Sequence, residues 1–275
     1  MKLSIVILNY YSRYLIEFAI KRLKETIRTT TYEIIVVDNG TYDGTKEMLN
    51  ELYPEVIFVQ TGKNLGYSAG NNAGVAVAQG DYVMIMNPDI FVQPHAVDDL
   101  VSYISQHNDI GLLAPQLING DGSVQMSIRT FQTLMTVIYR RTPLGLTTFG
   151  KQHLKKFLME EVDHSSIMDV DWALGACHLF PKKFFDELDG YDPRFQLYVE
   201  DMDMCRRVWI AGKRVVYYPH AQMIHLHAQA SASSPWAFMK IFTNKLTRWH
   251  IVSFLKYMKK FWNNNNYGAR SITAK

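Results

Sequence analysis

Asn87-Pro88-Asp89 follows the apolar run Tyr82 to Met86 and precedes a helix-like stretch opening near Pro94. A carboxylate there stands at the carboxyl end of a buried strand, the edge at which open α/β sheets hold their ligands. A hard cation such as Mg²⁺ or Mn²⁺ takes one or two carboxylates and completes its shell with ligand phosphates, so Asp89 suits a metal bridging protein and diphosphate. A β-turn is the alternative, since Asn-Pro-Asp is ordinary turn chemistry. A second concentration, Glu200-Asp201-Met202-Asp203, opens an amphipathic helix that continues through Arg206, Arg207 and Trp209. Acids in a first turn are favoured by the helix dipole, but three carboxylates exceed what a cap requires. Behind the aromatic Phe195-Gln196-Leu197-Tyr198, one of them can take the proton of an acceptor hydroxyl.

The elements that must position these groups are legible in the hydrophobic periodicity. Leu3 to Leu8, Glu33 to Val37, Val56 to Val59 and Tyr82 to Met86 are expected strands, separated by expected helices at Tyr14 to Ile27, Thr45 to Leu52 and Ala69 to Ala78. Such alternation implies a mostly parallel sheet with helices on both faces. Beyond it, strands are expected at Val124 to Ser127, Ala176 to Phe180 and Arg214 to Tyr217, and helices at Lys182 to Leu188 and Asp201 to Ala211. Phe131 to Glu161 is ambiguous, with Pro143 and Gly145 interrupting any helix, and is open to being a mobile segment over a site. The run Asn263 to Asn266 suggests a disordered end.

Successive strand ends carry polar or flexible residues: Asn9-Tyr10, Asp38-Asn39-Gly40 and Asn64-Leu65-Gly66-Tyr67. Together they suit a nucleotide pocket. Asp38 can accept an N–H from a pyrimidine ring, Tyr10 offers a stacking face, and Asn64 with Gly66 lets backbone approach a ribose or phosphate closely. Turn chemistry at Asp38 and core packing of Tyr10 are the alternatives.

At 275 residues and 48% hydrophobic content the chain has ample material for a core. Two cysteines, Cys177 and Cys205, lie far apart in no metal-type spacing, which disfavours a disulfide scaffold or zinc site and points to a reducing compartment. No signal peptide precedes the strand near Met1 to Leu8, and no uncharged apolar run reaches the ~18 residues of a membrane span, so a cytosolic protein is expected. The net charge of +3 conceals an asymmetry: residues 1–203 hold 17 basic and all 26 acidic residues, whereas 204–275 hold 12 basic residues and no acid. A basic tail of that kind suggests an anionic partner: phospholipid, lipid diphosphate or nucleic acid.

Six segments in order, Ile5-Val6-Ile7-Leu8-Asn9-Tyr10, Val36-Val37-Asp38-Asn39-Gly40, Asn64-Leu65-Gly66-Tyr67-Ser68-Ala69-Gly70-Asn71-Asn72, Asn87-Pro88-Asp89, Trp172-Ala173-Leu174-Gly175-Ala176 and Tyr198-Val199-Glu200-Asp201-Met202-Asp203, resemble the family 2 glycosyltransferases, and most of all their rhamnosyltransferase branch. The resemblance spans about residues 3 to 230. It implies a GT-A fold and inverting transfer from a nucleoside diphosphate sugar, with dTDP-rhamnose the implied donor and a saccharide or polyprenyl-diphosphate-linked acceptor in bacterial cell-surface polysaccharide synthesis. By position it makes Asp38 and Tyr10 nucleobase contacts, Asn87 and Asp89 the metal and diphosphate motif, Asp201 the general base with Glu200 beside it, and Trp172, Gly175 and Ala176 the acceptor lining. Arg207 is expected to help stabilise the leaving diphosphate. His225, in Ile224-His225-Leu226-His227, matches a histidine near the site in relatives and can bind metal or diphosphate, a structural role being the alternative. Asn87 departs from the Asp common in the wider family, which leaves one carboxylate in that motif.

The expected organisation is a GT-A domain over 1–230, with nucleotide-sugar binding in about 1–115 and acceptor binding and the base in about 116–230, followed by basic amphipathic helices and tail in 231–275. In Pro235 to Trp262, Met239, Phe242, Leu246 and Trp249 form one stripe and Ile251, Phe254, Leu255, Met258, Phe261 and Trp262 another, with Lys240, Lys245, Arg248, Lys256, Lys259 and Lys260 largely off them. That pattern fits a peripheral anchor on the anionic inner face of the cell membrane. Packing on the catalytic body or in a homodimer is the alternative. Another UDP- or dTDP-sugar is an alternative donor. A nucleotidyltransferase is a competing class, disfavoured because Asn9 to Arg13 contains no glycine for a triphosphate loop. A non-catalytic polyanion-binding protein would explain the tail but not the ordered acidic motifs, and no nucleic-acid partner is expected.

Overall fold

The computed structural model describes residues 2–226, 245–262 and 268. Its first half is β1 (Leu3–Asn9), α1 (Arg13–Thr26), β2 (Tyr32–Asp38), α2 (Thr45–Leu52), β3 (Ile57–Gln60), α3 (Gly66–Val75), β4 (Tyr82–Met86), β5 (Ile90–Val92) and α4 (Ala96–Ser105). There follow β6 (Ile110–Ile118), β7 (Ile128–Arg129), α5 (Leu134–Arg141), α6 (Thr148–Phe157), β8 (Met168–Asp169), β9 (Trp172–Ala173), β10 (Cys177–Pro181), α7 (Lys182–Glu187), α8 (Glu200–Ile210), β11 (Arg214–His225) and α9 (Lys245–Lys260).

The central sheet runs β3-β2-β1-β4-β10-β6-β11-β5, with β8 paired to β11. The first four strands are mutually parallel, as are β6 and β11, while β10, β5 and β8 run antiparallel to their neighbours. Alternation along β1 shows why both faces need cover: Ile5 and Ile7 face one apolar layer, and Val6 faces the other. On the first face α1 contributes Ile16, Ala19, Ile20 and Leu23, all fully buried at helical spacing. On the second, Gly74 of α3 brings the helix so close that a Cβ would lie 2.5 Å from Val6 Cγ1 and 2.7 Å from Val37 Cγ2.

Several sequence expectations shift here. The strand expected at Val124 to Ser127 is a single bridge from Val124 to Ile118, and the strand proper is β7. β5 and the central β6 were not anticipated. Gly111 and Pro115 punctuate β6, and Pro115 sits opposite Tyr218, where the β11 register shifts before Gln222, so an irregular ladder accommodates its missing N–H. Phe131 to Glu161 contains α5 and α6, joined by a 3₁₀ turn over Pro143–Leu146. Gly145 is required there, since a Cβ would meet the Tyr139 carbonyl oxygen at 2.1 Å.

The apolar stripe assigned to a membrane is partly consumed in packing. Phe254, Tyr257 and Phe261 of the α9 region are buried in the second-face core, while Leu255 and Val252 stay exposed. Two of the lysines expected to meet lipid bond inward instead: Lys260 Nζ reaches Asp203 at 2.6 Å and Asp192 at 2.7 Å, and Lys256 Nζ donates to the Arg194 carbonyl at 3.1 Å. Met239, Phe242, Lys240 and the run Asn263 to Asn266 lie outside the described residues, as do the side chains of 245–247. No helix among the described residues is long and apolar enough to cross a membrane.

Because Val6 and Val37 are rigid β-branched residues in buried strands, Gly74→Val is expected to destabilise the protein by ~1–3 kcal/mol through overpacking. Urea denaturation monitored by circular dichroism checks this, and an unchanged midpoint would contradict the close approach of α3.

Candidate active site

Asn39, just past β2, organises the nucleotide side of the sheet edge. Its Nδ2 donates to Asn64 Oδ1 at 3.1 Å, its Oδ1 accepts the Leu65 N–H at 2.9 Å, and Asn64 Oδ1 also takes the Gly66 N–H at 2.8 Å. Gly66 adopts φ +83°, and a Cβ there would lie 2.7 Å from the Gln196 carbonyl oxygen, so glycine is required on both counts. Asp38 is buried; Oδ1 accepts from the Thr41 N–H and hydroxyl, while Oδ2 takes longer bonds from Tyr42 N at 3.3 Å and Gln60 Nε2 at 3.2 Å. Oδ2 is therefore the atom at which an incoming base N–H can substitute for a weak partner. Tyr10 is exposed beside Tyr11, an accessible stacking face rather than a core aromatic. Asn9 behaves otherwise. Fully buried, it donates to Asp43 and Thr45 and accepts the Ser12 N–H at 2.9 Å, so its side chain braces the loop after β2 instead of meeting a nucleotide.

Asp89 and His225, 136 positions apart in sequence, are brought together by the pairing of β5 with β11, in which Ile90 sits opposite His225. Asp89 Oδ2 lies 3.5 Å from His225 Nε2, and the Leu226 N–H donates to the Asp89 carbonyl at 3.1 Å. Gln125 Oε1 contacts His225 Nδ1 at 2.8 Å. An amide oxygen only accepts, so Nδ1 donates to Gln125, and this orients Nε2 toward Asp89. Sequence reasoning missed Gln125, because nothing local marks a glutamine whose partner is 100 residues away.

Gly175 and Ala176 join this edge to the acidic helix. Asn87 N–H donates to the Ala176 carbonyl at 2.8 Å, Tyr67 hydroxyl donates to the Gly175 carbonyl at 2.6 Å, and Gly175 N–H donates to Asp201 Oδ2 at 3.0 Å. Asp201 Oδ1 accepts the Met202 N–H at 2.7 Å. Burial raises the Asp201 pKa, opposed by those two N–H groups, by the nearby Trp172 indole and by the positive charge of Arg129. The Trp172 N–H is itself buried without a hydrogen-bond partner, so it acts on Asp201 through its dipole. Glu200 differs. Its Oε2 is buried with no partner, and desolvation followed by the neighbouring Asp201 and Asp203 charges lifts it well above the ordinary carboxylate range. Burial thus disfavours charge on both adjacent carboxylates, less so on Asp201, which has two backbone N–H donors and the field of Arg129 to oppose it.

Asp203 is fully enclosed between Lys260 and Arg207 Nε, the latter at 2.7 Å. Arg207 also donates to the carbonyls of Leu188 at 2.7 Å and Gly190 at 2.8 Å. With its guanidinium committed to protein acceptors, Arg207 braces the loop before α8, which corrects its expected contact with a diphosphate. Backbone strain is concentrated just ahead of the pair: Tyr198 has φ +67° and Val199 φ +75°, the latter costly for a β-branched residue.

A profile described as "Glycosyl transferase family 2" matches residues 4–173. The chain belongs to that family. It is a glycosyltransferase with a GT-A fold. The transferase is 29% identical over 221 residues to the N-acetylglucosaminyl-diphospho-decaprenol L-rhamnosyltransferase of Mycobacterium tuberculosis, covering 74% of this chain and 69% of that one. It is 28% identical over 263 residues to rhamnosyltransferase WbbL of Escherichia coli K12, covering 90% and 91%. Among solved structures, S. aureus TarS 1-349 in complex with UDP superposes with TM-score 0.57 at 15% identity, covering 93% of this chain and 66% of that one. GalNAc-T7 with UDP, GalNAc and Mn²⁺ does so with TM-score 0.64 at 18% identity, covering 90% and 49%.

A close approach bears directly on the base at Gly175, where a Cβ would fall 2.9 Å from Asp201 Cβ. Gly175→Ala is expected to displace the carboxylate and lower transfer by ~10²-fold, the scale of an ångström-level misplacement, with nucleoside diphosphate affinity unchanged. Parallel turnover and nucleotide titrations check it; equal loss of both would mean the loop as a whole had collapsed.

Proposed function

We propose that this protein is an inverting rhamnosyltransferase that moves L-rhamnose from dTDP-rhamnose to a saccharide carried on a polyprenyl diphosphate, at the anionic inner surface of a bacterial cell membrane. One observation carries the catalytic part: Gly175-Ala176 hydrogen-bonds to the Asn87 backbone on one side and Asp201 on the other, joining the Asn87-Pro88-Asp89 turn to a buried carboxylate. The rhamnosyl donor is supported by the names of both rhamnosyltransferase relatives, and the lipid-linked acceptor by that of the Mycobacterium tuberculosis one.

In this reading Tyr10 stacks on the base, Asp38 Oδ2 accepts its ring N–H, and the backbone at Asn64 and Gly66 lies against ribose and phosphate. Trp172, Gly175 and Ala176 line the acceptor side. Asp201 removes the proton from the acceptor hydroxyl while that oxygen attacks the anomeric carbon and the bond to the diphosphate breaks on the opposite face. One base and a direct displacement invert the centre.

Asp89 and His225 fit a divalent metal, Mg²⁺ or Mn²⁺, as a carboxylate and an oriented imidazole with Asn87 alongside. They are two protein ligands, and no group of three or more acidic, His or Cys side chains suited to a metal occurs among the described residues, so the diphosphate would complete the shell. When bound, such an ion would neutralise charge growing on the departing diphosphate.

Labelled dTDP-rhamnose with an N-acetylglucosaminyl-diphosphate-polyprenol acceptor tests the reading directly. Asp201→Asn is expected to reduce labelled product by ~10²–10⁴, the range for a lost general base, whereas Glu200→Gln keeps most turnover because burial and the neighbouring acids already disfavour its charged form. Activity should rise with pH through the elevated Asp201 pKa, so the acidic limb lies above the ordinary carboxylate range. The reverse order of the two mutants would transfer the role to Glu200. Chelator and Asp89→Ala should each weaken dTDP binding in calorimetry, and full affinity with excess chelator would remove the metal from the account.

A further inference from the structure

Helix α5 packs beside α9 around a cavity of about 290 Å³ whose walls include Val137, Ile138, Ile251 and Phe254, with Arg140 and Arg141 at its polar margin. The surrounding rim is apolar and exposed: Leu134, Leu144, Leu146, Phe149 and Leu255 are each more than half exposed. Arg129, on β7, sits opposite Trp172 in the β7–β9 pair, with its guanidinium carbon over the indole at 5.2 Å from the ring centroid. Its Nε is buried without a hydrogen-bond partner. Among the described residues no carboxylate forms an ion pair with Arg129, Arg140 or Arg141.

Three half-buried guanidinium groups gathered without a directly paired carboxylate are unfavourable in the free protein. Arg140 is pushed down to about 10 by burial and then by Arg129 and Arg141. The adjacent His250 is pushed down to about 3 by burial and the same three arginines, so it is neutral and offers no compensation. The cluster also adjoins the catalytic helix. Arg129 acts electrostatically on Asp201, and the His250 ring stacks at 4.8 Å on Tyr198, two residues before Glu200.

Building on the lipid-linked acceptor proposed above, we infer that Arg129, Arg140 and Arg141 bind the acceptor's diphosphate and that the α5–α9 cavity receives the first isoprene units of its lipid. Guanidinium forks match phosphate oxygens in charge and geometry, and an aliphatic cavity behind them suits a hydrocarbon tail. The saccharide on the other side of the diphosphate then reaches Asp201. This arrangement turns the exposed rim of α5, α6 and α9 toward the bilayer, and gives the segment between Phe131 and Glu161 a function.

Farnesyl diphosphate, inorganic diphosphate and farnesol serve as probes of the purified full chain in calorimetry. Farnesyl diphosphate should bind more tightly than either fragment. Arg140→Gln/Arg141→Gln should weaken it by at least ~10-fold, within the range for removing charged partners, and raise acceptor KM while leaving dTDP affinity and kcat near wild type. Ile138→Trp, which fills the cavity, should weaken farnesyl diphosphate and spare inorganic diphosphate. Retained dTDP affinity reports that each variant is folded. If wild type uses the lipid-linked acceptor but neither variant changes acceptor KM or farnesyl diphosphate binding, this location is overturned and the functional reading survives. Transfer by the wild type to free saccharides alone would overturn both.

Discussion

The Gly175-Ala176 dipeptide is the constraint on which the rest of the site depends. Three of its backbone polar groups are each used by a different element: Ala176 C=O by the turn after β4, Gly175 C=O by Tyr67 at the start of α3, and Gly175 N–H by Asp201 on α8. Backbone groups cannot rotate away as side chains can, so these bonds fix mutual positions rather than merely adding stability. Removing the Cβ at 175 allows Asp201 to approach, and burial there makes each bond electrostatically stronger than it would be in water.

Around that dipeptide the protein separates charges by what surrounds them. Asp203 sits between Lys260 and Arg207 and is a structural ion. Asp201, two residues earlier, receives backbone N–H groups and the distant field of Arg129, a weaker compensation that leaves its basicity raised. Glu200 receives still less, and its charged form is the more strongly disfavoured. Three carboxylates within four residues thus have three different sets of partners, the pattern expected where acid and base roles must be distinguished. The strained Tyr198-Val199 backbone is the local cost of aiming this turn inward.

The basic carboxyl-terminal region does two jobs with one composition. Lys256 and Lys260 of α9 hold the loop and helix that carry the acids, whereas the exposed Val252 and Leu255 continue an apolar rim formed by α5, the following turn and α6. A stripe of hydrophobic residues on a helix specifies only that something apolar lies against it. Which part meets protein and which part meets another phase depends on neighbours over a hundred residues away.

Local chemistry determined the first half of this fold from sequence: apolar runs of strand length, helices at 3.6-residue spacing, and polar turns at successive strand ends. Asp38 and Asp89 stand out in the sequence because each lies where a strand stops, and Asp201 because it lies where a helix starts. The resemblance to family 2 glycosyltransferases added their order. What periodicity could not supply was partnership. β6 was hidden because Gly111 and Pro115 look like breakers until the irregular β11 ladder opposite them is known. Arg207 looked like a diphosphate ligand until two carbonyls and Asp203 occupied it, and Asn9 looked like a nucleotide contact until the loop after β2 closed over it. Gln125, Tyr67 and Arg129 carry no local mark at all. Their roles arise from contacts between residues far apart in sequence, which only the folded backbone brings within hydrogen-bond or Coulomb range, and that is why they belong to the tertiary structure alone.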